Sequence, residues 1–259
     1  MDFLEALTTV YLEAPCRVLA NALWKTRRQL EQGDFELEVA IDGDLISSLA
    51  AYGNETLSVF WTRQRDKPLP DSILALVQLA VIHDDYLAPA MRSSFRHRER
   101  YFRLIHFLGL SEQPLLPVGF SFVCVGMPQE APVVSSLISQ CYVDLKPSVR
   151  AIVGWTEYPV YAPDLWVWIV DEENREPAAL GIAELDSGVR EGSLEWIQVL
   201  PSYRGRGLGT ALVWELLRRF QGCTDFVTVS GRVGGAGDPE RLYRRCGFCG
   251  DDVWWVLRR

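Results

Sequence analysis

The spacing of hydrophobic and polar positions changes several times along the 259 residues, and those changes outline the elements. From Phe3 to Glu31 the only proline is Pro15, which predicts two helices broken near that residue. Phe35, Leu37, Val39 and Ile41 then alternate with polar or small residues in FELEVAID, and TLSVFWTR is rich in β-formers, so two strands are expected. Pro89 to Phe107 reads as a helix with Arg92, Arg96, Arg100 and Arg103 on one face, either a solvated face paired with nearby acids or a phosphate or partner site. The segment SEQPLLPVGF, Ser111 to Phe120, holds two prolines and a glycine and separates two differently patterned regions.

Beyond that boundary the order is clearer. GFSFVCVG reads as a strand, PVVSSLISQCY as a helix, and DLWVWIVDE and AALGIAELD as strands joined by the turn ENREP. SLEWIQVL as a strand, GLGTALVWELLRRF as a helix, DFVTVSGRV as a strand, DPERLYRRCGF as a short helix and DDVWWVLRR as a last strand complete the chain. The expected organisation is an N-terminal α+β region, residues 1–117, and an α/β (α+β) domain with a mixed sheet, residues 118–259. No internal repeat and no low-complexity tract is evident in the sequence.

Composition narrows the function classes. The net charge of -8 is shared evenly, with 12 basic and 16 acidic residues up to position 117 and 14 and 18 after it. Neither half has the basic excess that binding a phosphate backbone requires, so nucleic acid is not expected as a partner. No apolar run approaches the roughly 20 residues of a membrane span, and MDFLEALTTVYLEA carries acids where a signal peptide needs positive charge; a cytoplasmic address is expected. Of six cysteines only Cys246 and Cys249 are close, in CGFCG, a form shared by redox pairs and half zinc sites. All three histidines, His83, His97 and His106, lie far upstream, so no metal is expected and free thiols are.

The most informative stretch is EWIQVLPSYRGRGLGTAL, Glu195 to Leu212, strand-like before the proline and helical after the last glycine. A nucleotide P-loop would place a lysine after that glycine, whereas Gly209 is followed by Thr210 and Ala211. A dinucleotide fingerprint would space its glycines two and three apart, whereas Gly205, Gly207 and Gly209 are two and two apart. What remains is a turn whose glycines let a ligand approach the backbone and whose helix offers unpartnered N–H groups at its positive end. Such a turn attracts an anion, and Arg204 and Arg206 add charge suited to phosphate oxygens. A tight turn with solvated arginines is the plainer alternative.

The run QVLPSYRGRGLGTALVWELL closely resembles the central motif of the GCN5-related N-acetyltransferases (GNAT), Q/R-x-x-G-x-G/A, matched by Arg204, Gly207 and Gly209. The resemblance covers about residues 118–259 and includes the closing LYRRCGF. It implies a mostly antiparallel mixed sheet flanked by helices. It also implies acetyl-CoA as co-substrate, its pyrophosphate on the amides of Arg204, Gly205, Arg206, Gly207, Leu208, Gly209 and Thr210.

By the same resemblance the preceding strand bulges, and a backbone N–H near its end, that of Val199 or of its neighbour Leu200, meets the thioester carbonyl. Glu195 is the base it implies, with Glu184 second and a strand-face acid paired with arginine as the alternative; apolar neighbours such as Trp196 would raise its pKa. Tyr243 matches the family's helix tyrosine in L-Y-x-x-x-G-F. Its phenol, with a reference pKa of about 10, is near enough to a thiol at about 8.5 to return a proton. The sequence departs from the pattern in GRVGGAGDPE, where many relatives carry an asparagine and this chain has Asp238, expected to cap a helix starting at Pro239.

Trp155, Trp166, Trp168 and Trp196 gather near the segment that shapes the acceptor site in this family, so they either line a site for a hydrophobic or cationic amine or fill the core. The acceptor implied is a small-molecule or peptide amine. Surface tryptophans would favour a homodimer. The N-terminal region reads as a degenerate copy of the fold or as an accessory domain. A rival reading keeps acyl-CoA binding without turnover, as a sensor.

Overall fold

The computed structural model describes residues 1–65, 67–109, 116–142, 144–234 and 237–259. Residues 111–115 of the expected boundary segment, and Gly235 and Ala236 of the loop ahead of the last helix, lie outside them. In chain order the elements are α1 (Phe3–Glu13), α2 (Pro15–Val18), α3 (Leu23–Gln32), β1 (Glu36–Asp42), β2 (Leu45–Gly53), β3 (Thr56–Thr62), α4 (Asp71–Leu76), β4 (Leu79–His83), α5 (Pro89–Ser93) and β5 (His97–Phe107). They continue with β6 (Phe120–Cys124), α6 (Ala131–Cys141), α7 (Val149–Trp155), β7 (Trp166–Asp171), β8 (Pro177–Asp186), β9 (Glu191–Val199), α8 (Leu208–Phe220), β10 (Phe226–Arg232), α9 (Pro239–Arg245) and β11 (Cys249–Arg258). The fold is α+β, with mostly antiparallel strands flanked by helices, as expected. No described helix is long and apolar enough to cross a membrane.

Two compact units are formed, one from residues 1–104, 230–240 and 249–259, the other from residues 105–229 and 241–248. In the first, strands run in the order β1-β2-β3-β4-β11-β5; β1 with β2, β2 with β3 and β4 with β11 are antiparallel, whereas β3 and β4 are parallel over Thr56↔Leu79 and Leu57↔Ala80. The last strand of the chain therefore serves the unit built mainly from its first hundred residues. Trp254, buried on β11, is fixed there by its indole N–H, which donates to the Cys16 carbonyl at 2.7 Å.

The helix expected over Pro89 to Phe107 is corrected. Only Pro89–Ser93 is helical, and β5 follows. The i, i+4 arginine spacing imitated a helix face, but Tyr101, Phe102, Leu104, Ile105 and Phe107 favour an extended, half-buried chain, and the sheet decides. Arg103 is 2% exposed, and its guanidinium donates to the Tyr11 hydroxyl at 2.9 Å and to Ser230 Oγ at 3.0 Å. Arg92 and Arg100 instead lie over the Trp255 ring, at 4.7 and 5.5 Å.

The second unit orders its strands β10-β9-β8-β7-β6, with β6 to β9 antiparallel and β9 parallel to β10. On one face α6 and α7 close over Trp166, Trp168, Leu180 and Ile182 through Val134, Leu137, Ile138 and Ile152. Each fully buried aliphatic side chain here contributes roughly 1.5–3 kcal/mol. Trp166 and Trp168 are 2% and 1% exposed, so they belong to this core and not to an acceptor surface. Trp155, expected in a loop, ends α7, whose start is capped by Ser148 Oγ accepting from the Ala151 N–H at 3.2 Å.

Candidate active site

Two strands part at the site. The parallel pairing of β9 with β10 runs only from Glu191↔Phe226 to Leu194↔Val229. Along its other edge β9 stays paired with β8 as far as Val199↔Ala179. The register passes from Ala183↔Leu194 to Ile182↔Trp196, which leaves Glu195 as the extra residue of a β-bulge. The Leu200 N–H donates to the Ala178 carbonyl at 3.0 Å. Antiparallel alternation therefore turns the backbone N–H and carbonyl of Val199 the other way, toward the edge that β10 has left. The Val199 carbonyl is held there by Arg204 Nε at 3.1 Å and by the Cys141 thiol at 3.6 Å. Of the two N–H groups weighed from the sequence, Leu200's is engaged by β8 and Val199's points into the opening.

The glycine turn follows directly. Gly205 and Gly207 have φ of 79° and 81°, in the left-handed region where a side chain is strained. Gly207 precedes α8 and no side chain caps that helix; the Ala211 N–H is taken by the Gly207 carbonyl at 3.1 Å. The amides of Leu208, Gly209 and Thr210 thus stand at the positive end of a 13-residue helix. Leu208 is 1% exposed, so its side chain belongs to the core. Arg206 rests on the Tyr203 ring at 5.1 Å and donates to the Ser202 carbonyl at 3.4 Å. Arg204 and Arg206 are exposed, and a guanidinium carries five N–H donors, more than these contacts use.

Tyr243 lies on α9, buried, with its ring 5.7 Å from that of Phe248. Burial pushes its phenol well above the ordinary tyrosine range, and Tyr142, Cys246 and the charge of Glu195 act in the same direction. The phenol is therefore neutral at any physiological pH but a weaker acid than the reference value that brought it close to a thiol, and Glu195 lies within its electrostatic reach. Glu195 Oε1 accepts from Ser193 Oγ at 3.0 Å, and the same hydroxyl lies 3.4 Å from Glu184 Oε2. Sequence reasoning missed Ser193, Gln198, Tyr142 and Cys141. Ser193 could have been found two residues from Glu195 on one strand. Gln198 donates to the Tyr142 hydroxyl at 2.8 Å, a contact across 56 residues that leaves no local signal.

Cys246 is fully buried, its thiol pushed up to about 12 by burial, and Cys249 is exposed; neither forms a disulfide. Among the described residues no group of three His, Cys, Asp or Glu side chains could hold a metal ion. Asp238, ahead of Pro239, has φ of 49°.

The site is thus a mixed sheet whose strands part beside an uncapped, glycine-led helix in an α+β protein. Residues 163–249 match the family model described as acetyltransferase (GNAT) domain, and this part of the chain is a GNAT domain. Among solved structures, a GCN5-related N-acetyltransferase from Sphaerobacter thermophilus matches with a TM-score of 0.67 at 17% identity, over 92% of this chain and 85% of that one. A GNAT-family acetyltransferase from Colwellia psychrerythraea gives 0.62 at 10% identity, over 100% and 97%. A tandem GNAT protein from the clavulanic acid biosynthesis pathway gives 0.57 at 13% identity, over 98% and 95%. These likenesses are of fold. Curated protein sequences give no match.

Proposed function

We propose that the protein is an N-acetyltransferase that moves an acetyl group from acetyl-CoA to an amine by direct attack on the thioester. The observation that carries this reading is the parting of β9 from β10 beside Gly205–Thr210, which leaves the Val199 N–H facing the opening next to a helix end suited to a pyrophosphate. The residues fit the co-substrate. The turn is uncapped, a Cβ at Gly205 or Gly207 would meet nothing within 4 Å, and two arginines flank the helix end.

The thioester supplies the acyl group. The amine nitrogen forms the new C–N bond, the C–S bond breaks, and the sulfur leaves with the electron pair. The Val199 N–H stabilises charge developing on the carbonyl oxygen. Glu195 takes the ammonium proton, directly or through water, and the protonated Tyr243 phenol supplies one to the departing sulfur. Ser193 orients the Glu195 carboxylate.

Calorimetric titration of acetyl-CoA into the protein, with Gly207→Trp beside it, tests the reading. Saturable binding lost in the variant, with free thiol released when an amine is added, is the expected result. Absence of binding to the parent protein would overturn it.

A further inference from the structure

The acceptor's chemical class follows from the sheet face that α6 and α7 cover, given the acetyl-transfer reading on which this inference rests. On that face the register sets Glu184 opposite Ser193 and Ile182 opposite Trp196. One hydroxyl, that of Ser193, lies 3.0 Å from Glu195 and 3.4 Å from Glu184, so two carboxylates crowd a single point. Beside them the Trp196 indole stacks on Trp155, with centroids 5.5 Å apart and planes at 17°. Tyr142 meets the edge of Trp196 at 5.9 Å.

These three rings are partly exposed, unlike Trp166 and Trp168. The chain leaving α7 runs along the edge of β8 opposite β9, where the Val160 carbonyl accepts from the Leu185 N–H at 2.9 Å.

Paired carboxylates attract an ammonium and repel an anionic substituent, while indole faces favour flat apolar groups and cations. We propose that the acceptor is a primary ammonium on a flat, carboxylate-free apolar body, its ring against the Trp155–Trp196 stack and its nitrogen toward Glu184 and Glu195. Free amino acids are disfavoured by their carboxylate, and amino sugars by a hydroxyl-covered body that cannot use the rings.

The test compares 2-phenylethylamine, phenylalanine and glucosamine at saturating acetyl-CoA, followed by thiol release. The amine should exceed phenylalanine in kcat/KM by roughly a hundredfold, from like-charge repulsion, and glucosamine by about tenfold, from lost ring contact. Trp196→Ala should raise KM for 2-phenylethylamine about tenfold while leaving acetyl-CoA affinity unchanged. Trp155→Phe, which keeps a ring in place, should raise it less, and Glu184→Gln should raise KM for the amine while narrowing its advantage over phenylalanine. Turnover of phenylalanine or glucosamine equal to or faster than that of the amine overturns the proposed class and leaves acetyl transfer standing. An unchanged KM for 2-phenylethylamine in all three variants overturns it as well. If acetyl-CoA neither binds nor is consumed with any of the three, the acetyl-transfer reading fails and the acceptor class falls with it.

Discussion

Gly207 and Gly209 sit two residues apart in one motif, yet the structure gives them different reasons to be glycine, and alanine at each separates the two. Gly207 has φ of 81° and ψ of -2°, a conformation that costs an L-residue about 1–2 kcal/mol. Its carbonyl also accepts the first bond of α8, so relaxing to a negative φ would re-aim the amides of the turn. Gly209 lies inside the helix, and a Cβ there would stand 3.5 Å from Leu242 and 3.7 Å from Val199, ordinary contact distances. Alanine at 209 therefore introduces no clash and gains up to about 1 kcal/mol of helix propensity.

Gly207→Ala should lower the melting temperature by about 2–8 °C and weaken acetyl-CoA roughly 5- to 30-fold, since binding must restore the strained turn. Gly209→Ala should melt at or above the parent temperature and bind within about threefold of it, well inside the tenfold that 1.4 kcal/mol represents. Thermal unfolding and calorimetric titration of both variants read the two quantities. Equal effects of the two substitutions on either quantity would refute the assignment of strain to Gly207 alone.

Tyr243→Phe should keep the fold and the acetyl-CoA affinity while lowering kcat roughly a hundredfold, as for loss of a general acid, measured by thiol release. Because burial holds the Tyr243 phenol above its ordinary range, any alkaline fall in rate below about pH 10 should persist in the phenylalanine variant, as a pH–rate profile will show. Acetyl-CoA should bind with a stoichiometry of one per chain, and a calorimetric value of two would refute a single cradle. Burial acts to raise the Glu215 carboxyl, but hydrogen bonds from Arg218 and Arg219 at 2.7–2.8 Å outweigh it and hold the pKa below the usual value. Its stabilisation is therefore present at neutral pH and lost as pH falls through the folded pKa, so the melting difference between parent and Glu215→Gln should shrink below about pH 4.

The glycine turn was legible because its chemistry is local: two left-handed residues, an uncapped helix and adjacent arginines all lie within seven positions. A bulge in β9 was expected from the resemblance, but that Glu195 is the bulged residue was not legible, because register depends on how β8 and β9 slide together. β5 was misread since arginine spacing in an amphipathic segment fits two periodicities, and burial of Arg103 against Tyr11 resolves them only in three dimensions. Likewise β11 gives no sign in its own residues that it will pair with β4 across more than 160 positions. α7 had one overlooked signal, the Ser148 cap. The aromatic segment divided: Trp166 and Trp168 entered the core, while Trp155 and Trp196 stayed at the surface.

The sequence shows no repeat, yet the structure repeats an order of elements. From α1 to β5 the chain runs through helices, three strands, a helix, a strand, a helix and a strand, and from α6 to β11 it does so again. In each run the third strand pairs in parallel with the fourth only over its first residues, at Thr56 and Leu57 in one and Glu191 to Leu194 in the other. The turns after those strands both carry basic residues but differ in their backbone and in the helix that follows. Where the second run has RGRGLG and a 13-residue helix, the first has Pro68 and Pro70, which lack N–H groups, then a six-residue helix opening with Asp71. Arg63 there is already drawn to the Ile46 carbonyl and to Glu13. Parting strands are thus common to both runs of elements, whereas the glycine turn proposed to hold the pyrophosphate belongs to the second alone. A single cofactor per chain is expected for that reason: the first run has Arg65 and Lys67 in its turn but lacks the glycines and the long uncapped helix that would present amides to a phosphate.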